Sequence, residues 1–328
     1  MLKKFLVPAL LGVVGASLAA FAVPAAAQGA WPDKPVRLIV PYPPGGTSDN
    51  LGRLVAERLG AKLGATVIVD NKPGGTTQIG TELAARAAPD GYTVLLGAVT
   101  AFTVLPHLRS KLPYDPKRSF EPLGGIAEYL SVVAVRKDLG AASLPELVAL
   151  AKARPGKLTY GSAGQASFGH IAGEILKRET GIDMLHVPFK GSADAATALA
   201  GGQVDVLIDG AAVPLAKAGR VVPLAAFGAV RHPELPAVPS LSETGIPVKR
   251  PEGPGWGLFT PKGTPAAINE RISKALQALL QESETQARLQ RISAMPDWRT
   301  PAQLERAIQA DWKFYAELLP AIGIRPEE

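Results

Sequence analysis

Val36-Arg-Leu-Ile-Val-Pro-Tyr-Pro-Pro-Gly-Gly-Thr-Ser-Asp49 decides how the rest of the chain is read. Val36 to Val40 is a short β-branched apolar run, the pattern of a buried strand. Tyr42 to Gly46 then forms a loop with two prolines and two glycines. From Thr47 onward, Leu51, Leu54, Val55 and Leu59 fall on one helical stripe that stops at Gly60 or Gly64. A strand running through a glycine loop into a helix start is an anion cradle. Its glycines admit a ligand to the backbone, and the first-turn N–H groups lie at the positive end of the helix dipole. Thr47 or Ser48 is expected to cap the helix through its side chain.

The same unit recurs along the chain. Thr66-Val-Ile-Val69 runs into the turn Asn71-Lys-Pro-Gly-Gly-Thr-Thr-Gln-Ile-Gly80, and Tyr92 to Leu96 is a third strand. Asp115 to Gly125 reads as a loop, and Leu130 to Val135 opens a second series. Ser143-Leu-Pro-Glu146 is a capping box that starts a helix to about Ala153. Leu158 to Tyr160 feeds a second glycine-rich turn, Tyr160-Gly-Ser-Ala-Gly-Gln-Ala-Ser167, before a helix striped by Ile171, Ile175 and Leu176. Strands at Leu185 to Val187, Val204 to Ile208 and Val221 to Phe227 follow, with an alanine-rich helix from Ala193 to Ala200.

Pro233 to Pro254 carries six prolines and suits a crossing between lobes. Trp256 to Phe259 is a last strand. A helix begins at Thr264-Pro265, and a capping box at Thr300-Pro-Ala-Gln303 starts the closing helix. Its stripe of Leu304, Ile308, Trp312, Tyr315 and Leu319 reads as core packing. Strands alternating with helices predict an α/β protein with parallel sheets covered on both faces, and ligands outside the carboxyl ends of the strands.

At 328 residues the chain exceeds one ordinary core, so two domains are expected. Lys3 and Lys4, the apolar run from Phe5 to Ala22 and Ala25-Ala26-Ala27 form the pattern of a secretory leader cleaved after Ala27, making residues 1–27 a signal peptide. With no cysteine, disulfides, thiolate metal sites, a cysteine nucleophile and a lipidated cysteine are all excluded. The net charge of +6 falls once Lys3 and Lys4 are removed, and the basic residues are scattered. That excludes a nucleic-acid footprint but favours a small anionic ligand.

With these motifs placed, the sequence resembles the periplasmic solute-binding proteins of tripartite tricarboxylate transporters, the Bordetella uptake gene group. The pieces that carry the resemblance run from end to end. They include Val40 to Asp49, Asn71 to Gly75 with Gln78-Ile-Gly80, Ala88-Pro-Asp-Gly-Tyr-Thr-Val-Leu-Leu-Gly97, Leu112 to Pro116, Pro155 to Ser162, His170 to Glu174, His186-Val-Pro-Phe-Lys-Gly-Ser192 and Gly201 to Val206. The resemblance implies a two-lobed periplasmic binding protein of the Venus flytrap kind, with the ligand in a cleft between two βα domains and no chemistry performed. One lobe would take residues 28–128 and 247–328 and the other 129–246, with crossings near 125–131 and 230–255.

It also implies a carboxylate held by Tyr42, Gly46, Thr47, Ser48 and Asp49 from one lobe. The facing residues would be Ser162, Gly164, Gln165, Ala166, Ser167 and Phe168, with Asp209 at a strand end, Thr76 in the second turn and Thr100 at the distal end. No cofactor or metal is implied. The partners would be a small organic carboxylate (a di- or tricarboxylate, or an aromatic one) and the large and small membrane subunits of a permease, with the protein itself a periplasmic monomer. Three departures bear on the ligand. Ala98-Val99-Thr100 replaces a serine-rich pair, and Gly210 replaces the usual asparagine after Asp209, while Phe168-Gly169 adds a ring. Fewer donors and more apolar surface suit one carboxylate on an apolar or aromatic body.

Other readings of the same residues stand beside this one. Asp49 can serve as a cap alone, because an ionised carboxylate repels an anionic ligand. Gln165 is the favoured direct side-chain donor, while His170 is read as packed and His186 as a core residue. His107 and His232 show no metal-ligand spacing. Gln165-Ala-Ser-Phe-Gly169 lacks the first glycine of a nucleophile elbow, no phosphate-loop lysine motif occurs, and the glycines at 253, 255 and 257 precede a strand rather than follow one. A hydrolase or isomerase is therefore the minor alternative. A sensor handing the solute signal to a membrane receptor would share the same pocket.

Overall fold

A computed structural model describes residues 31–98, 100–246 and 255–326. The expected leader and its cleavage point lie outside the described residues, as do residues 247–254 of the proline-rich crossing. The first lobe begins with β1 (Val36–Val40), α1 (Thr47–Leu63), β2 (Val67–Asn71), α2 (Gln78–Ala85) and β3 (Thr93–Ala98). Two short helices, α3 (Thr100–Thr103) and α4 (Leu105–Leu108), lead to the long strand β4 (Phe120–Tyr129).

The second lobe comprises β5 (Val132–Arg136), α5 (Leu144–Ala153), β6 (Leu158–Ser162), α6 (Phe168–Thr180) and β7 (Met184–Pro188). It continues through α7 (Ser192–Ala200), β8 (Val206–Asp209), α8 (Ala212–Lys217) and β9 (Val221–Ala226). The chain then returns to the first lobe with β10 (Trp256–Pro261), α9 (Ala266–Leu280), α10 (Ser283–Arg291), β11 (Ala294–Arg299) and α11 (Pro301–Ala321).

Two sheets result, ordered β11-β4-β10-β3-β1-β2 and β7-β6-β8-β5-β9. The expectation of parallel sheets holds for only half of each. β2, β1 and β3 run parallel, as do β7, β6 and β8, but β10 is antiparallel to both β3 and β4, and β5 is antiparallel to β8 and β9. The reason is connectivity. Helical crossovers between consecutive strands keep them parallel, whereas the strands that carry the chain out of a lobe and back into it meet their neighbours head to tail.

Local sequence accounts for the ends of most elements. α1 stops at Gly64, whose φ of 68° is left-handed and whose N–H returns to the Gly60 carbonyl. Ser143 caps α5 by accepting the Glu146 N–H, and Thr300 with Gln303 forms a complete capping box on α11. The expected side-chain cap on α1 is absent, however. Gly46 is the capping residue and makes no side-chain bond, which leaves the hydroxyls of Thr47 and Ser48 for other partners.

The predicted loop from Asp115 to Gly125 is wrong over its second half, where β4 runs from Phe120. Gly124 sits in that strand because a Cβ there would meet the Trp298 ring at 2.4 Å, so the glycine marks a close approach rather than a turn. β11 and α10 were not anticipated. Pro296, Asp297 and Arg299 hide the strand in the sequence, yet β11 is an edge strand paired only with β4, where a proline is tolerated.

Helix α11 departs most from its sequence reading. Leu304 packs in the first lobe with Phe102 and Phe259, but Tyr315, Leu318 and Leu319 join the second lobe's core beside Val133, Leu144 and Ile175. The helix therefore straddles both lobes, and its stripe is not a single core face.

Candidate functional site

The strands β1, β6 and β7 each end in a loop and a helix start at the space between the lobes, whereas β4 reaches it and runs on into β5. After β1, Gly45 takes a φ of +89°, turning the chain so that α1 points its first turn into the cleft. Asp49 fixes this loop from below. Its Oδ2 accepts the Gly45 N–H at 2.9 Å and the Arg53 guanidinium at 2.9 Å, and its Oδ1 accepts the Asn71 amide at 2.9 Å. Asn71 also donates to the Tyr42 carbonyl at 3.0 Å. Burial pushes the Asp49 carboxyl up, but these donors outweigh it and hold the group below the usual carboxylate range.

A cavity of about 120 Å³ lies between the lobes. One part is polar, formed by Tyr42, Thr47, Ser48, Thr100, Tyr129 and Ser192. Apolar wall comes from Ile171, Ile175, Phe227, Trp256, Phe314 and Leu318, with Glu128, Ser167, Asp209 and Asp311 also in the lining. Edge-to-face rings join the two lobes across it. Tyr129 lies 5.2 Å from Trp256 and 5.0 Å from Phe168, and Phe168 lies 5.8 Å from Phe227.

Three helix starts converge on the cavity: α1 with Thr47 and Ser48, α6 with its capping residue Ser167, and α7 with Ser192. The first N–H groups of a helix have no acceptor within it, so these ends present donors and partial positive charge to an anion. Ser48 is polarised further. Its Oγ accepts the Trp256 indole N–H at 3.0 Å, which leaves the hydroxyl proton for another partner. The Thr100 hydroxyl is buried beside the Tyr42 phenol and interacts with it. Burial raises the Tyr42 phenol, which therefore stays protonated and able to donate.

Asp209 ties the second lobe to the end of β4. Its Oδ1 accepts Tyr129 Oη at 2.6 Å and the Ala211 N–H at 2.9 Å, and its Oδ2 accepts Ser192 Oγ at 2.8 Å. The Gly210 N–H donates to the same phenol at 2.8 Å. Burial raises the Asp209 carboxyl against those donors, and burial beside that carboxylate pushes the Tyr129 phenol well up. Among the described residues that line the cavity there is no Lys, Arg or His, while Glu128, Asp209 and Asp311 supply carboxylates. Any anion held here is gripped by neutral hydroxyls, amides and helix ends.

The lobes touch around the cavity. Pro43 packs on Gly191, where a Cβ would come within 2.6 Å of the proline ring, and Gly46 faces Ser192. Thr76 donates to the Gln165 carbonyl at 3.0 Å.

Of the residues singled out from sequence, Tyr42, Thr47, Ser48, Thr100, Ser167, Phe168 and Asp209 line the cavity. Gly46 borders a small adjoining pocket with Gly191 and Asp194. The remainder lie elsewhere. Asp49 is consumed in holding its own loop, Thr76 and Gln165 form the rim contact, and the Gln165 side chain is exposed. Ser162 is fully buried, bonded to His186 Nε2 at 2.6 Å and to the Gly164 carbonyl at 3.0 Å. Ala166, with a left-handed φ of 58°, gives its N–H to His170 Nδ1 at 3.0 Å.

Sequence reasoning missed Ser192, Tyr129, Trp256 and the end of α11. Ser192 carried a signal, since Gly191-Ser192 follows a strand and starts a helix just as Gly46-Thr47 does. The others reach the site only through long-range packing.

Two α/β lobes closed over a cavity walled by helix starts define a solute-binding clamshell. Comparison with known proteins gives the family. Residues 51–324 match the family described as the tripartite tricarboxylate transporter family receptor. BugT of Bordetella pertussis is 34% identical over 278 residues, covering 82% of this chain and 85% of BugT. Rpa4515 of R. palustris, solved with adipate, superimposes with a TM-score of 0.86 at 33% identity, covering 90% of this chain and all 100% of that one. The periplasmic binding protein BugD gives a TM-score of 0.83 at 32% identity, covering 90% of this chain and 100% of BugD. The chain belongs to this receptor family, the Bordetella uptake gene group.

Proposed function

We propose that this chain is an exported, monomeric solute receptor that captures a small organic carboxylate and delivers it to the large and small membrane subunits of a tripartite permease. Residues 1–27 would be its leader. One lobe would take residues 28–128 and 247–328 and the other 129–246, with Tyr129 at the crossing and the C-terminal part of α11 packed on the second lobe's core. The protein binds and releases its solute unchanged.

The observation that carries this reading is the division of the cavity: a hydroxyl and helix-end cradle at one part, and aromatic and aliphatic walls over the rest. The hydroxyls of Thr47 and Ser48 with the first N–H groups of α1, α6 and α7 take the carboxylate, while Ser192 gives its proton to Asp209 and offers its backbone at the start of α7. Closure removes it from water, and charge-assisted hydrogen bonds strengthen as the surroundings dry. Adipate in the related R. palustris protein supports a carboxylate as the ligand class.

In this cavity the walls favour one carboxylate on an apolar or aromatic body. A second carboxylate would find no Lys, Arg or His in the described lining and would share the cavity with the carboxylates of Glu128 and Asp311. Thermal-shift measurements with benzoate, adipate and citrate, followed by calorimetry, test this. Benzoate-type acids are expected to raise the melting temperature and to be recovered intact, and citrate to leave it unchanged. Strong stabilisation by citrate or succinate with none by benzoate-type acids refutes the proposed preference.

A further inference from the structure

On the far side of the Tyr42–Asp49 loop from the ligand cavity lies a second groove of about 250 Å³, built from both lobes. The first lobe contributes Gly45, Thr47 and the end of α10 at Arg291, and the second contributes α7, Gly210 and Arg220. Thr47 borders both this groove and the ligand cavity, so one residue of the clamp is shared. Between the two lobes Ser293 closes the floor. Its Oγ donates to the Gly210 carbonyl at 3.1 Å, and any Cβ on residue 210 would meet Ser293 Cβ at 2.6 Å. The glycine that follows Asp209 is therefore what lets the lobes meet here.

Arg220 and Arg291 stand at the rim of this groove, one from each lobe, and both are exposed. Most arginines of the described chain are paired: Arg53 with Asp49, Arg58 with Glu284, Arg136 with Asp205, Arg231 with Glu243 and Arg288 with Glu57. Neither Arg220 nor Arg291 uses its guanidinium in this way. The field of Arg291 reaches Glu234, but that carboxylate is already bonded to Lys217. Two uncommitted guanidiniums on opposite lobes, over a floor of alanine, glycine and proline, make a surface complementary to carboxylates on an extended chain. Because its halves belong to different lobes, the surface is complete only when they are closed.

We infer that this groove docks an acidic peptide segment of the membrane partner and reads the closed, loaded form of the receptor. The inference rests on the delivery role proposed above. It gives that role a physical basis, since a segment bridging Arg220 and Arg291 binds closed receptor better than open receptor by its differential contacts alone. Charge complementarity of this kind sets association rate and specificity and weakens with salt.

The test uses fluorescein-labelled hexaglutamate and the full mature chain at low ionic strength, read by fluorescence anisotropy. Wild-type protein is expected to bind the peptide, more tightly with saturating benzoate than without. Arg220→Glu/Arg291→Glu should weaken peptide binding at least tenfold while leaving the benzoate thermal shift unchanged, because neither residue lines the ligand cavity. Arg154→Glu/Arg306→Glu, which removes the same charge from exposed sites elsewhere, should retain peptide binding. Equal loss in both double variants, or none in the first, overturns the inference. So does inorganic phosphate that displaces the peptide at equal concentration, since the groove would then be a small-anion site. If benzoate and adipate both fail to stabilise the protein, the solute reading fails, and the two double variants still decide whether the groove binds the peptide.

Discussion

The Tyr129 hydroxyl donates to Asp209 Oδ1 at 2.6 Å, joining the last residue of β4 to the last residue of β8 at the point where the chain leaves the first lobe. The same phenol accepts the Gly210 N–H at 2.8 Å. Tyr129→Phe removes a donor from a buried carboxylate and strands a backbone N–H. Each loss of that kind costs about 1–3 kcal/mol, so a stability loss of about 2–6 kcal/mol is expected in urea titration. An unchanged midpoint and slope would show that the bond contributes nothing.

Trp256 and Ser48 make a second link, this one inside the ligand cavity. Because Ser48 Oγ accepts the indole N–H at 3.0 Å, its own proton is free to meet a carboxylate. Trp256→Phe keeps an aromatic ring beside Tyr129 but removes the indole N–H and frees the hydroxyl to turn away. Calorimetry with benzoate should show a loss of about 1–2 kcal/mol, roughly five- to thirtyfold in affinity. Full affinity in the variant would mean that Ser48 does not contact the ligand.

Closure depends on bare backbone at Gly191. Its φ of −177° is open to any residue, so Gly191→Val should fold, yet a Cβ there would sit 2.6 Å from the Pro43 ring. The lobes of this variant cannot meet at the mouth. Benzoate affinity should drop at least tenfold, about 1.4 kcal/mol. Small-angle scattering should show no compaction on adding the acid, and compaction equal to wild type would disprove the steric argument.

Acid should weaken the second lobe through a pair of stacked histidines. His170 and His186 lie 4.0 Å apart with rings 12° from parallel, faced by Tyr160, Glu174 and Lys177. Burial, the other histidine and Lys177 drive His186 down to about 3, and burial lowers His170 as well. Unfolded histidines titrate near 6.5, so between that pH and about 3 the unfolded chain binds more protons than the folded one. Stability therefore falls as pH drops, by about 1.4 kcal/mol per pH unit for His186 in mid-window, with His170 acting in the same direction. Urea midpoints from pH 7 to 4.5 should show this slope, and His186→Gln should flatten it. Equal slopes in both proteins would place the effect elsewhere.

The histidine pair also carries the second jaw. His170 Nδ1 holds Ala166 and His186 holds Ser162, so two neutral rings support the turn between β6 and α6 alongside its own Ser162 and Ser167 hydroxyls. Their sequence context, one turn into a helix and mid-strand, gave packing as the reading. The structure keeps them packed and adds the bonds that shape the turn.

Local chemistry made much of this protein legible from its sequence. The strand from Val36, the α1 stripe, its stop at Gly64, the caps at Ser143 and Thr300 and the glycine loops facing a cleft all follow from residues within a turn or two of one another. The reason is that periodicity, capping and left-handed turns are set by near neighbours.

What tertiary structure alone decided depends on residues far apart in the chain. Tyr129 meets Asp209 across 80 residues and Ser48 meets Trp256 across 208, and no local pattern encodes either distance. The same holds for the mixed strand order, the third helix start at Ser192, the tilt of α11 across both lobes and the confinement of Asp49 to its own loop. Helix starts that make an anion site can be found in a sequence. Which of them converge on one cavity, and which rings wall it, is fixed only when the lobes pack.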